Sequence, residues 1–263
     1  MPAPTSRAVP VVFLHGFAGQ GRGLRRLADL YAGTEAVCLD LPGFGGTAPP
    51  PMNDTRSMDE YCTAVWQRIR RLVPAGPVTL IGHSHGAMVG YVLAVRHPDE
   101  IAGLELFCPV ARPRLIPRLF IRSLLLARAL GIPATVLIRL LSHPAAVALV
   151  SRYTADRHWS APERAHIDQM RRDEARFYSP IMFDLMGQTL SFKKVMDDSR
   201  CLVPTRIHVA SHDNVAGAED HSWYAHRATS AEVHEFTGGH LAVVADPARV
   251  VTRLARGEAR SCM

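Results

Sequence analysis

The chain has 263 residues, 48% hydrophobic and 21% charged, a globular composition that excludes disordered, fibrous and bilayer-embedded classes. The formal net charge is +6, but residues 111–180 alone carry twelve Arg against five acids, so the remainder is close to neutral. With no aromatic interleaving and no nucleic-acid motif, that local excess argues against a DNA or RNA partner.

Residues 1–16, MPAPTSRAVPVVFLHG, hold one Arg and lack a small-residue cleavage site, so the expectation is a mature cytoplasmic protein. Short apolar runs then alternate with helical patterns: Val11 to Leu14, Ala36 to Leu39, Val78 to Ile81, Leu104 to Phe107, Ile207 to Val209 and Val233 to Phe236. Alternation of this kind predicts an α/β fold with a mostly parallel central sheet of about six strands flanked by helices. Between the second and third runs, Ser57-Met58-Asp59-Glu60 reads as a capping box before a helix with Tyr61, Val65, Ile69 and Leu72 on one face. Leu72 to Val95 is free of charge, but Pro74, Gly76, Pro77, Gly82 and Gly86 interrupt it, so no lipid-spanning helix is expected.

From Ala111 to Arg200 the strand pattern gives way to helical patterns rich in Leu, Ile, Ala and Arg. The expected organisation is a core of residues 1–110 and 201–263 with a helical insertion at 111–200, and a frayed end at Gly257 to Met263. Cys38, Cys62, Cys108, Cys201 and Cys262 are odd in number and widely spaced, so neither disulfides nor a metal site is expected.

Gly82-His83-Ser84-His85-Gly86 follows a strand pattern and opens a helical one, the context that GxSxG requires to hold a serine hydroxyl on a sharp turn above a sheet. The hydroxyl needs a base, and the base needs a group to orient it. In the order Ser, acid, His, the downstream positions at strand ends are Asp213 and His240, with Glu219 and Asp220 as rival acids and His221, His226 and His234 as rival bases. His83 and His85 flank the turn and point away from it, and His15 is read as bracing a turn.

With these motifs the chain resembles the α/β-hydrolase superfamily, in its serine-nucleophile, cap-bearing branch, from Val11 to Asp246. Leu14-His15-Gly16-Phe17 is similar to the family's HG turn, Asp40-Leu41-Pro42-Gly43-Phe44-Gly45 to its DxPGxG loop, and Gly239-His240 with Asp246-Pro247 to its histidine segment. The resemblance implies that the backbone amides of Phe17 and His85 form the oxyanion hole and that Ser84, Asp213 and His240 form the catalytic triad. The alternative acid position after the sixth family strand reads Cys108-Pro109-Val110, which favours Asp213. A serine at position 84 also sets aside the Asp-nucleophile chemistry of the family's dehalogenases and epoxide hydrolases.

The expected activity is hydrolysis of a carboxylic ester of a medium-sized hydrophobic acyl or ring compound, without metal or organic cofactor. Phe17, Met182, Phe183, Met186 and Leu241 are the expected pocket residues, with Met182, Phe183 and Met186 on the helical cap. Thioesterase, lactonase, carbon–carbon hydrolase and cyclising activities share the fold and triad, and a non-catalytic small-molecule receptor is the reading from another class. The Arg114, Arg118, Arg122 stripe beside Leu115 and Leu119 has three readings: a solvated face, a cradle for an anionic part of the substrate, or a membrane-surface face. Oligomeric state is not readable.

Overall fold

The computed structural model describes residues 9–31, 34–54, 58–156 and 159–255. Residues 1–8 and 256–263, with Cys262 and the expected frayed end, lie outside the described residues, as does Ser57 of the expected capping box. Six strands, β1 (Val11–Leu14), β2 (Ala36–Leu39), β3 (Val78–His83), β4 (Ile101–Phe107), β5 (Thr205–Ala210) and β6 (Ala231–Phe236), form one sheet. Every pairing is parallel and the spatial order is β2-β1-β3-β4-β5-β6. The order reverses direction between β1 and β3, and an open parallel sheet has a crevice at the carboxyl ends of strands flanking such a reversal.

Helices cover both faces. On the core side lie α1 (Arg25–Ala28), α2 (Asp59–Leu72) and α3 (His85–Arg96). Between β4 and β5 come α4 (Leu115–Ala129), α5 (Ala134–Leu141), α6 (Pro144–Thr154), α7 (Ala161–Glu174) and α8 (Ile181–Val195). The chain closes with α9 (Ala218–Ala225), α10 (Ala242–Ala245) and α11 (Pro247–Ala255). Central strands bury both faces, as Val78, Leu80 and Ile81 show, because parallel sheets are covered on both sides.

In α2, Tyr61, Val65 and Ile69 are fully buried as their spacing predicts, but Leu72 is exposed in the last turn. The Glu60 carboxylate accepts from the backbone N–H groups of Asn53 and Asp54 and fastens the preceding loop to the start of α2.

α3 buries ten of its twelve residues between the sheet and the solvent-side helices. Such an all-round apolar helix belongs to a core rather than a surface. By contrast α4 and α5 each bury a single side chain, Leu124 and Leu137.

Asp220, in α9, ties down the chain that leads from β4 into α4. Its carboxylate accepts from the backbone N–H groups of Ala111 (3.1 Å), Arg112 (2.6 Å) and Gly217 (2.8 Å). Burial pushes its pKa up, against the stabilising pull of those three donors. Asp220→Ala strands buried amides without an acceptor, so it is expected to lower unfolding free energy by about 1–3 kcal/mol in urea titrations. An unchanged midpoint would remove this tether from the account of the fold.

Candidate active site

Ser84 stands between β3 and α3 with φ 54° and ψ −113°, a left-handed conformation that costs a non-glycine residue about 1–3 kcal/mol. The other described non-glycine residues at positive φ are Ala18 and Cys108, which follow the ends of β1 and β4. Backbone strain therefore collects at one end of the sheet. The turn is possible because Gly82 lacks a side chain: a Cβ there would lie 2.5 Å from the carbonyl oxygen of Gly86.

His240, between β6 and α10, bridges to Ser84. Its Nε2 lies 2.8 Å from Ser84 Oγ and its Nδ1 lies 2.8 Å from Asp213 Oδ2. A carboxylate accepts only, so Nδ1–H donates to Asp213 and Nε2 is left to accept from the serine hydroxyl. All three residues are buried. Asp213 follows β5, and its other carboxylate oxygen accepts from the N–H groups of Val215 (2.8 Å) and Ala216 (2.9 Å). Burial alone would raise its pKa, but the His240 partner and these amides more than offset it, so Asp213 sits below the usual carboxylate range.

The rival residues have other partners or places. Asp220 is the tether described above, Glu219 is exposed, and His226 and His234 bond to the Ser222 carbonyl and to Glu232. His221 lies near Asp213, half-buried, and burial lowers it to about 4. His15 braces the turn after β1: its Nδ1–H donates to the Gly16 carbonyl (2.8 Å) and its Nε2 accepts from the Leu41 N–H (2.9 Å). His83 donates from Nε2 to the His240 carbonyl at 2.8 Å, which holds the backbone of the histidine loop.

Phe17 and His85 meet at this point. Their rings contact edge to face at 5.8 Å, and both line the cavity above Ser84. As the first residue of α3, His85 has a backbone N–H outside the helix's own hydrogen-bond ladder. On the opposite side, a Cβ at Gly16 would lie 3.4 Å from Ser84 Cβ, so the Gly16–Phe17 peptide runs directly beside the serine.

The cavity has a volume of about 440 Å³, within the range of small-molecule pockets. Of the residues that the sequence suggested for a pocket, Phe17, Met182, Met186 and Leu241 line it. Phe183 does not. Met182, Met186 and Thr189 share the i, i+4, i+7 face of α8 that looks into the cavity, whereas Phe183 turns into the apolar core, its ring 5.9 Å from the Arg128 guanidinium. Arg114, Arg118 and Arg122 are likewise absent from the lining, and Arg114 donates to the Ala216 carbonyl at 2.9 Å. The lining arginine is Arg171, already paired at 3.3 Å with buried Glu174. That pair had no sequence signal, because α7 reads as a charged, solvated helix. Burial raises Glu174, with Arg171 opposing.

His83, Cys108 and His240 place potential metal-ligand atoms within 4.8 Å of one another. Both His240 nitrogens and His83 Nε2 already hold hydrogen bonds, and burial foremost, with the nearby Asp213 charge, keeps the Cys108 thiol well above its ordinary pKa. The donor set does not suit a metal ion.

Residues 9–247 match the family described as alpha/beta hydrolase fold. The chain belongs to the α/β-hydrolase family. Within it, a lipase of Moraxella sp. is 30% identical over 97 residues, 37% of this chain and 30% of the lipase. An epoxide hydrolase of Neurospora crassa is 31% identical over 110 residues, 41% of this chain and 31% of that enzyme. The chain thus spans less than a third of the length of these curated relatives. Among solved structures, a hydrolase from Oleispira antarctica superposes with a TM-score of 0.72 at 15% identity, covering 94% of this chain and 90% of that one. An esterase from Thermogutta terrifontis gives 0.69 at 18%, covering 96% and 90%. At such identities these structures establish the α/β-hydrolase fold alone.

The site also carries a pH signature. His15, His83 and His85 are buried, and burial is the main reason their pKa values fall to about 4, 3 and 3 from 6.5. The unfolded chain takes up protons on these rings below pH 6.5 while the folded α/β-hydrolase core does not. Stability is therefore expected to fall as the pH drops from 6.5 towards 4, by up to about 1.4 kcal/mol per unit for each ring. Urea unfolding at pH 7 and pH 5 measures this, and His85→Asn should flatten the dependence. Equal stability at the two pH values would mean that the rings are not held neutral.

Proposed function

We propose that the protein is a serine hydrolase that cleaves carboxylic esters of medium-sized hydrophobic acyl or ring compounds. The observation that carries this reading is the unbroken chain of hydrogen bonds from Ser84 through His240 to Asp213 at the floor of an apolar cavity. Helices α4 to α8 act as a cap, supplying lining residues such as Phe120, Tyr153, Met182 and Met186.

In the proposed reaction, Ser84 Oγ attacks the ester carbonyl carbon while His240 Nε2 takes the hydroxyl proton. The backbone amides of Phe17 and His85 hold the resulting oxyanion. Collapse of the tetrahedral intermediate breaks the bond to the leaving alcohol, which receives the proton from His240, and leaves an acyl group on Ser84. Water then repeats the cycle on the acyl-enzyme. Asp213, held ionised by its partners, orients the imidazole and stabilises its charged form.

The serine at position 84 favours ester chemistry over the epoxide opening named for the Neurospora relative. Because Arg171 is already neutralised by Glu174, the lining supports an uncharged ester more than an anionic one. Thioester, lactone and carbon–carbon substrates would meet the same three residues, so a substrate series decides among them.

A fluorophosphonate probe followed by mass spectrometry is expected to place its adduct on Ser84, with turnover of short and medium aryl esters. Ser84→Ala should abolish both labelling and acyl-enzyme turnover, and Asp213→Asn should lower kcat by about 10,000-fold through loss of the correct tautomer. Undiminished turnover by Ser84→Ala overturns the assignment. Tight binding of an ester with no turnover by the wild-type chain would favour the receptor reading.

A further inference from the structure

Of the sixteen exposed large apolar side chains among the described residues, eleven fall between Ala111 and Ala155. The same stretch of sequence has seven Arg and no acid. Exposure of this extent on one segment is unusual for a solvated surface and marks an interaction site.

The arrangement along α4 is specific. At the α-helical rotation per residue, Leu115, Leu119, Leu126 and Leu130, the last at the C-cap, fall within about 60° of arc. Leu126 is 60% exposed and Leu130 75%. Arg114, Arg118 and Arg122 occupy the adjoining arc, and Leu124, the one buried side chain of α4, lies on the opposite face. The helix is thus amphipathic with its apolar stripe outward and its cations along one flank.

The neighbouring helices continue this chemistry. No single helix among the described residues is long and apolar enough to cross a membrane, but α5 and α6 together meet that hydropathy across a 65° bend. Such a pair is apolar enough to enter lipid and too bent to span it as one rod. Leu140 on α5 and Leu149 on α6 are exposed. Ile116 and Phe120 on α4 and Leu149 and Val150 on α6 are exposed and also line the cavity above Ser84, so the apolar surface and the cavity share a rim.

We propose that the outward face of α4 to α6 docks on an anionic lipid surface, with the cavity rim against the apolar layer. Charge selects this occupant. A second copy meeting the same face symmetrically would bring arginine against arginine with no acid on either side, whereas anionic headgroups complement the arginines and the acyl layer receives the leucines. The surface is defined independently of catalysis.

The test uses the Ser84→Ala chain, so that hydrolysis plays no part. It is sedimented with vesicles of equimolar phosphatidylglycerol and phosphatidylcholine, and in parallel with vesicles of phosphatidylcholine alone. Partitioning is expected to be about tenfold or more stronger on the anionic vesicles, and Arg122→Ala should weaken it about fivefold. Leu126→Glu with Leu130→Glu should abolish it. These positions are exposed and outside the cavity, so an unchanged thermal midpoint verifies that the variants fold. Equal partitioning to both vesicle types, or undiminished partitioning of the double leucine variant, overturns the proposal. So does sedimentation velocity in which the free chain is a dimer and the leucine variant a monomer. If the anionic vesicles bind but the wild-type chain fails to label with fluorophosphonate, the docking surface stands and the serine-hydrolase reading falls.

Discussion

The closeness of α3 to β1 governs the geometry at the carboxyl end of the sheet. A Cβ on Gly86 would lie 2.1 Å from the Leu14 carbonyl oxygen, a backbone atom that cannot yield without moving the strand. With glycine there, the first turn of α3 presses against the end of β1, and the loop continuing from β1 passes directly over Ser84. Three glycines, at positions 16, 82 and 86, therefore set the separation between one hydroxyl and two loop peptides. The strained φ of Ser84 is sustained because its N–H donates to the Phe107 carbonyl at 2.9 Å and its carbonyl accepts from Ala87 and Met88.

Around that contact, polar groups are buried in pairs whose hydrogen bonds fix loops in place. His15 links the turn after β1 to the loop after β2, and His83 links the elbow to the backbone of His240. Asp40 accepts from the Gly21 N–H at 2.7 Å, and a Cβ on Gly45, at φ 60°, would collide with that carboxylate. A charged ring in these surroundings bears an uncompensated desolvation cost, and protonation would also take away the Nε2 lone pair with which His15 accepts from Leu41. The loops are thus held at neutral pH by groups whose protonation works against the fold.

Sequence reasoning read the sheet and the elbow because their constraints are local. A buried parallel strand must be a short apolar run, and a nucleophile turn between strand and helix must have glycines where backbones meet. Asp213 and His240 were legible from chain order and strand ends, and the structure brings both within hydrogen-bonding distance of the site. Side-chain direction was the harder quantity. Phe183 shares an apolar helix with Met182 and Met186, yet about 100° of helical rotation sends it to the core while they face the cavity. The Arg171–Glu174 pair escaped for a related reason: the carboxylate is buried against the segment holding Gly19 and Gly23, about 150 residues earlier in the chain. Leu72 read as core by periodicity, but periodicity identifies a face without saying what covers it.

Burial differs sharply between α3 and α8 on one hand and α4 and α5 on the other. α3 and α8 are buried along most of their length, so displacing either exposes large apolar surface to water. α4 and α5 bury Leu124 and Leu137 alone, and their connection, Gly131-Ile132-Pro133, is exposed with Gly131 at φ 88°. Fewer fully buried side chains oppose their displacement than that of α3 or α8, and stability in a folded chain is lowest where such contacts are fewest. Asp220 fixes the chain entering α4 at Ala111 and Arg112, and α8 is anchored through Phe192 against Trp223 and Tyr224. The stretch from α4 to α8 is therefore fixed at both ends, and α4, with one fully buried side chain, contributes Ile116 and Phe120 to the rim of the cavity. The Ser84–His240–Asp213 hydrogen bonds join loops at the strand ends and use no residue of α4 to α8, so the alignment of the site rests on the sheet rather than on the helices at its rim.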